Sequence, residues 1–147
     1  MALFGSLAFT GAADAAAGPR CLNGLGAALV AGGFSGSVDC RHDRLSVREA
    51  GRVQKSGRSF EIYVYRYRLA PACPECAVHG GQRILFMERG RYVGQYEADF
   101  VQVSIRHGEL VLVPADAGSG GRVTVRLTRD GPPKKLLVAG EVTGFFR

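Results

Sequence analysis

Tryptophan is absent from this 147-residue chain, methionine occurs twice, and no apolar run reaches the ~20 residues that a membrane-spanning helix needs. Lysine is scarce as well. Only Lys55, Lys134 and Lys135 stand among nineteen bases, so the rest are arginine. None of the serines sits in a Gly-x-Ser-x-Gly elbow, and the only histidines that could serve as bases are His42, His79 and His107. His42-Asp43 would pair a base with its orienter, but neighbours on a strand point to opposite faces, so no hydrolase reading follows. Gly24-Leu25-Gly26-Ala27-Ala28-Leu29 starts like a dinucleotide fingerprint, yet Leu29 stands where the third glycine belongs and no strand precedes it. Internal repeats and low-complexity linkers are missing too, which leaves a single globular domain.

What is present fits a packed core. Hydrophobic residues make up 46% of the chain and charged residues 22%, a balance that disordered chains do not show. The formal net charge is +6, carried by bases spread from Arg20 to Arg147. Spread in this way they read as a solvated surface, whose field favours anionic partners such as lipid head groups or polysaccharides. Nucleic acid is disfavoured as a partner because no RNP-type motif accompanies the charge.

Residues 1–17 combine a short apolar stretch with the small-residue ending Ala15-Ala16-Ala17. This pattern resembles a secretory signal cleaved before Gly18, although no base precedes Arg20. Export to a periplasmic or secreted location is the expectation, with a cytoplasmic location if that segment is not a signal. Four cysteines agree with an oxidising compartment, and three connectivities are open. Local pairing is the most economical: Cys21 with Cys40, and Cys73 with Cys76.

Residues 18–33 are too rich in glycine and alanine for more than one short helix. After Phe34 the hydrophobic period becomes two: Leu45 and Val47, Ile62 and Val64, Val101 to Ile105, and Val123 to Leu127 alternate with polar neighbours. Turn signals at Lys55-Ser56-Gly57, Arg89-Gly90, His107-Gly108, Gly118 to Gly121 and Asp130-Gly131-Pro132-Pro133 separate these runs. The expected fold is all-β over residues 34–147. It is an antiparallel meander of eight or nine strands closing into a small up-and-down barrel or a two-layer sandwich, since either hides its edges.

Cys73-Pro74-Glu75-Cys76 is the one local motif with a mechanism behind it, because closely spaced thiols can exchange rapidly through a mixed disulfide. Too few residues separate Cys76 from the next strand to form the helix that would stabilise a thiolate, so a structural disulfide is expected. The alternative to it is a thiol-disulfide redox or zinc protein, with Cys73, Cys76 and His79 as ligands and Cys40 or His42 closing the tetrahedron. Tyr63, Tyr65 and Tyr67 share one strand face and Arg66 and Arg68 the other, which makes them candidates for a binding surface. The competing expectation is that the tyrosines fill a core. Together these features point to a small exported bacterial envelope protein. Its expected role is non-catalytic binding or structure, without a cofactor, and its expected partner is an anionic or amphipathic envelope component or another protein.

Overall fold

In a computed structural model, residues 20–147 are described apart from 117 and 119; the signal-like segment 1–17 lies outside the described residues. A single 3₁₀ turn, Arg20–Leu22, leads into the short helix α1 (Gly26–Ala31). Nine strands follow: β1 (Arg44–Lys55), β2 (Arg58–Arg68), β3 (Gly80–Glu88), β4 (Arg91–Glu97), β5 (Val101–Arg106), β6 (Glu109–Pro114), β7 (Val123–Val125), β8 (Lys135–Val138) and β9 (Glu141–Gly144). The first strand starts at Arg44, ten residues after Phe34. Residues 34–43 run as an irregular strap instead, with Ser37 and Asp39 taking nearby backbone N–H groups onto their side-chain oxygens.

Four hairpins turn in two residues. Ser56 and Gly57, Arg89 and Gly90, His107 and Gly108, and Ala139 and Gly140 all have paired positive φ values, from 50° to 80°. Two successive left-handed residues match the right-handed twist of the strands they join, and glycine at the second position removes half of the steric penalty.

All strand pairs are antiparallel, but the meander is not continuous. The main sheet has the order β1-β2-β3-β4, a second has β5-β6-β7, and β8 and β9 form a separate ribbon. The sheets do not close into a barrel; they stack as a two-layer, sandwich-like all-β fold. A bulge between Glu49 and Gly51 bends β1 where it passes β5. Gly51 sits there at φ 141°, and a Cβ on it would lie 2.7 Å from Ile105 Cγ1.

The main sheet is covered on both faces. Phe60, Ile62, Val64, Ile84, Phe86 and Tyr96 point toward the second sheet and the ribbon, and meet Val103, Leu110, Leu112 and Leu136 in the larger core. On the reverse face Tyr63, Tyr65, Leu85, Met87 and Tyr92 form a second core with Leu22 and Leu29 of the N-terminal segment. Phe34 of the strap meets Tyr65 and Tyr92 edge-on at centroid distances of 5.1 and 5.5 Å. Polar pins hold the strap down: Tyr65 Oη donates to Ser37 O at 2.8 Å, and Gln95 Nε2 donates to Ser35 Oγ at 3.1 Å.

Disulfides join Cys21 to Cys40 and Cys73 to Cys76. The first closes the loop of chain that carries α1 and most of the strap. Each apolar side chain buried there is worth roughly 1.5–3 kcal/mol, against the entropy of ordering a segment rich in glycine.

The two disulfides should therefore differ in weight. In urea unfolding, Cys21→Ser with Cys40→Ser is expected to cost about 3 kcal/mol, and Cys73→Ser with Cys76→Ser about 2 kcal/mol. Far-UV circular dichroism of both double variants should keep its strand signal.

Candidate functional site

In a meander every second connection falls at the same end of the sheet. Here the two-residue turns at 56–57, 89–90 and 107–108 share one end, and each has a base in it or beside it: Lys55 and Arg58, Arg89 and Arg91, Arg106. The longer connections 69–79, 98–100 and 115–122 lie at the other end. Charge that is scattered along the chain is thus gathered in space.

Two open hollows mark the turn end. One, of about 600 Å³, is walled by Arg52, Lys55, His107, Glu109 and Arg126. The other, of about 700 Å³, is walled by Arg58, Glu88, Arg89, Arg91, Tyr92 and Arg147. Together they present seven bases and two acids. One of those acids is already committed, because Arg58 grips Glu88 with two parallel bonds, Nε to Oε1 and Nη2 to Oε2, both 2.8 Å. The guanidinium bonds hold the Glu88 carboxyl below its usual range. Arg52 is paired with Glu61 at 2.9 Å. Lys55, Arg89, Arg91, Arg126 and Arg147 make no ion pair among the described residues, and the first four are exposed on the strand ends. Tyr92 lies in the wall of the second hollow, 4% exposed, with its hydroxyl buried and without a hydrogen-bond partner among the described residues. Burial pushes that phenol up to about 12, so it stays a neutral donor at any physiological pH.

The sequence candidates sit elsewhere. Tyr63 and Tyr65 do not form an open binding surface: Tyr65 is fully buried and Tyr63 nearly so, because the N-terminal segment packs over the face they share. Tyr67 is half-buried at the edge of that core, stacked on Tyr65 with centroids 5.6 Å apart. Arg66 and Arg68 are exposed on the opposite face, near the end away from the turns. The tyrosines and the two arginines are therefore not brought together.

Cys73 and Cys76 are bonded to each other in the exposed connection between β2 and β3, which contains no helix, and Cys40 is bonded to Cys21. His79 is exposed at the end of the same connection. His42 pairs with Asp39, Nδ1 to Oδ2 at 2.6 Å, and that bond raises the imidazole pKa. Among the described residues no three His, Cys, Asp or Glu side chains converge as a metal site would require. Ser37 donates its hydroxyl to Asp43, not to a histidine, so no general base stands on it.

The turn end was not singled out from the sequence, although its signal was there in the bases that flank three successive Gly-containing turns. Known protein families, curated proteins and solved structures give no match to this chain, so the site is read from its own residues.

The Arg58–Glu88 pair sets a pH dependence. The folded-state pKa of Glu88 lies below the ordinary 4.5, so its contribution to stability is complete above that value and is lost as pH falls through the folded value. Urea midpoints measured across the acid range should drop more steeply for the parent protein than for Glu88→Gln. Parallel curves would show that the pair is not coupled to folding.

Proposed function

We propose that this protein is a small, non-catalytic binding protein of an oxidising compartment, exported to the bacterial periplasm or beyond, and that it holds an anionic envelope component against its turn end. The observation that carries the proposal is the gathering of seven bases and two acids around two hollows at the turn end, with five of the bases free of carboxylate partners among the described residues. Unpaired arginines at the mouth of a cleft raise the local concentration of anions and offer a planar fork to phosphate, sulfate or carboxylate. Two disulfides within a short chain support the oxidising compartment. A neighbouring hollow shares Arg91, Tyr92 and Arg147 and continues along Ala28 and Ala31 of α1, which gives an amphipathic partner an apolar surface beside its charged group.

Binding of this kind is electrostatic and open to solvent, so salt weakens it over a screening length of about 8 Å at physiological ionic strength. On vesicles containing phosphatidylglycerol, or on a carboxylated polysaccharide matrix, retention should fall as salt rises. The combined variant Lys55→Gln, Arg89→Gln, Arg91→Gln and Arg126→Gln should bind about tenfold more weakly, at about 0.3–0.4 kcal/mol per exposed contact. Arg44→Gln with Arg68→Gln, which removes two exposed charges far from the turns, should bind like the parent. Equal losses in the two variants would reduce the effect to net charge and overturn the assignment to the turn end.

A further inference from the structure

At the other end of the molecule the chain crosses from the main sheet to the second sheet through residues 98–100, and that corner is built with unusual care. Phe100 holds a left-handed backbone, φ 54°, which a bulky side chain rarely adopts, and its ring is 85% exposed. Glycine or asparagine would make the same turn with less strain.

The strain is held by a set of hydrogen bonds that all converge on the corner. The Gln82 backbone N–H donates to Asp99 Oδ1 at 2.6 Å. Its buried carboxamide donates to Ala98 O at 3.0 Å and Val101 O at 2.8 Å, and accepts from Arg66 Nε at 2.9 Å. Phe100 O accepts from the Ala115 N–H at 2.7 Å. An aromatic ring is thus displayed in water on a fixed pedestal, where ligand contact requires little further ordering.

The ring overlooks an open hollow of about 510 Å³ whose walls include Arg66, Gly81, Asp99 and Gln102. That is room for one or two rings of a ligand. Arg66, exposed in the wall of the hollow, spends Nε on Gln82, and among the described residues its terminal nitrogens take part in no ion pair. Asp99 is exposed, with Oδ1 accepting from Gln82 and no bond to Oδ2 among the described residues, and Gln102 is exposed beside it.

We propose that this hollow binds an acidic saccharide unit. The apolar face of the sugar ring lies on Phe100, its carboxylate meets the Arg66 guanidinium, and its hydroxyls donate to Asp99 and exchange hydrogen bonds with Gln102. Charge separates this ligand from the one proposed for the turn end. A densely charged polyanion is repelled by Asp99, whereas a polyhydroxyl ring with one negative group gives Asp99 the donors it needs and Arg66 the partner it lacks. An aromatic peptide side chain would satisfy Phe100 alone.

The test is an NMR titration of the full chain with the methyl glycoside of galacturonic acid, which carries one carboxylate, with uncharged methyl galactoside and an N-acetylphenylalanine amide as comparison probes. The acidic sugar is expected to shift the Phe100 ring, the Gln102 side chain and Arg66 Nε together, and to bind more tightly than either comparison probe. Phe100→Gly relaxes the backbone, so it should unfold at an equal or higher temperature and yet bind the acidic sugar about tenfold more weakly. Arg66→Gln should remove the preference for the acidic over the neutral sugar. Shifts confined to Arg89, Arg91 and their neighbours, or unchanged binding by Phe100→Gly, would overturn the site. Tighter binding of the phenylalanine amide would overturn the saccharide assignment.

Discussion

Everything in this molecule depends on the need to cover the main sheet twice. β2 and β3 carry large apolar side chains at almost every position between Phe60 and Tyr65 and between Ile84 and Met87, so neither face can be left to water. One face is closed by β5 to β9. The other is closed by a segment too short and too glycine-rich to be a stable layer unaided, and the Cys21–Cys40 link limits how far it can depart. That link lets Leu22, Leu29 and Phe34 act as a lid over the tyrosines, in place of a third sheet.

With both faces of the sheet occupied, what remains for recognition is the two ends. They differ because the connections differ. Tight two-residue turns at one end bring strand termini close together and concentrate whatever charge those termini carry. Longer connections at the other end have the length to form a disulfide-closed tip and a crossing corner with a hollow beside it. The fold thus places its connections by length: tight turns walled by unpaired bases at one end, and at the other a fixed aromatic with mixed polar partners where the chain changes sheets.

Much of the scaffold was legible in the sequence because it follows from short-range rules. Alternation over Val101 to Ile105, and glycine after Ser56, Arg89 and His107, correspond to the observed strands and turns. The local cysteine pairing also corresponds, as expected for residues separated by one small element. The break after β4 was not legible, since it depends on Gln82, remote in sequence, taking the carbonyls of Ala98 and Val101. Nor was it decided that the tyrosine stripe would be covered: period two says that Tyr63, Tyr65 and Tyr67 share a face but not what lies on it. The turn end escaped for a related reason. Counting bases along a chain finds blocks, whereas a meander makes clusters out of residues far apart in sequence.

The whole arrangement requires that the N-terminal segment seal the reverse face of the sheet. Ring-resolved NMR titration of the tyrosines measures this directly, because a phenol ionises at its ordinary value of 10.0 when water reaches it. Burial pushes Tyr65 and Tyr92 to about 12, with nearby Arg83 opposing the shift only in part. At a pH midway between those values both rings should still be protonated in the intact protein. Ionisation of Tyr65 and Tyr92 near pH 10.0 while the strands remain folded would show an open aromatic face, and would contradict the two-sided core on which the rest of the structure depends.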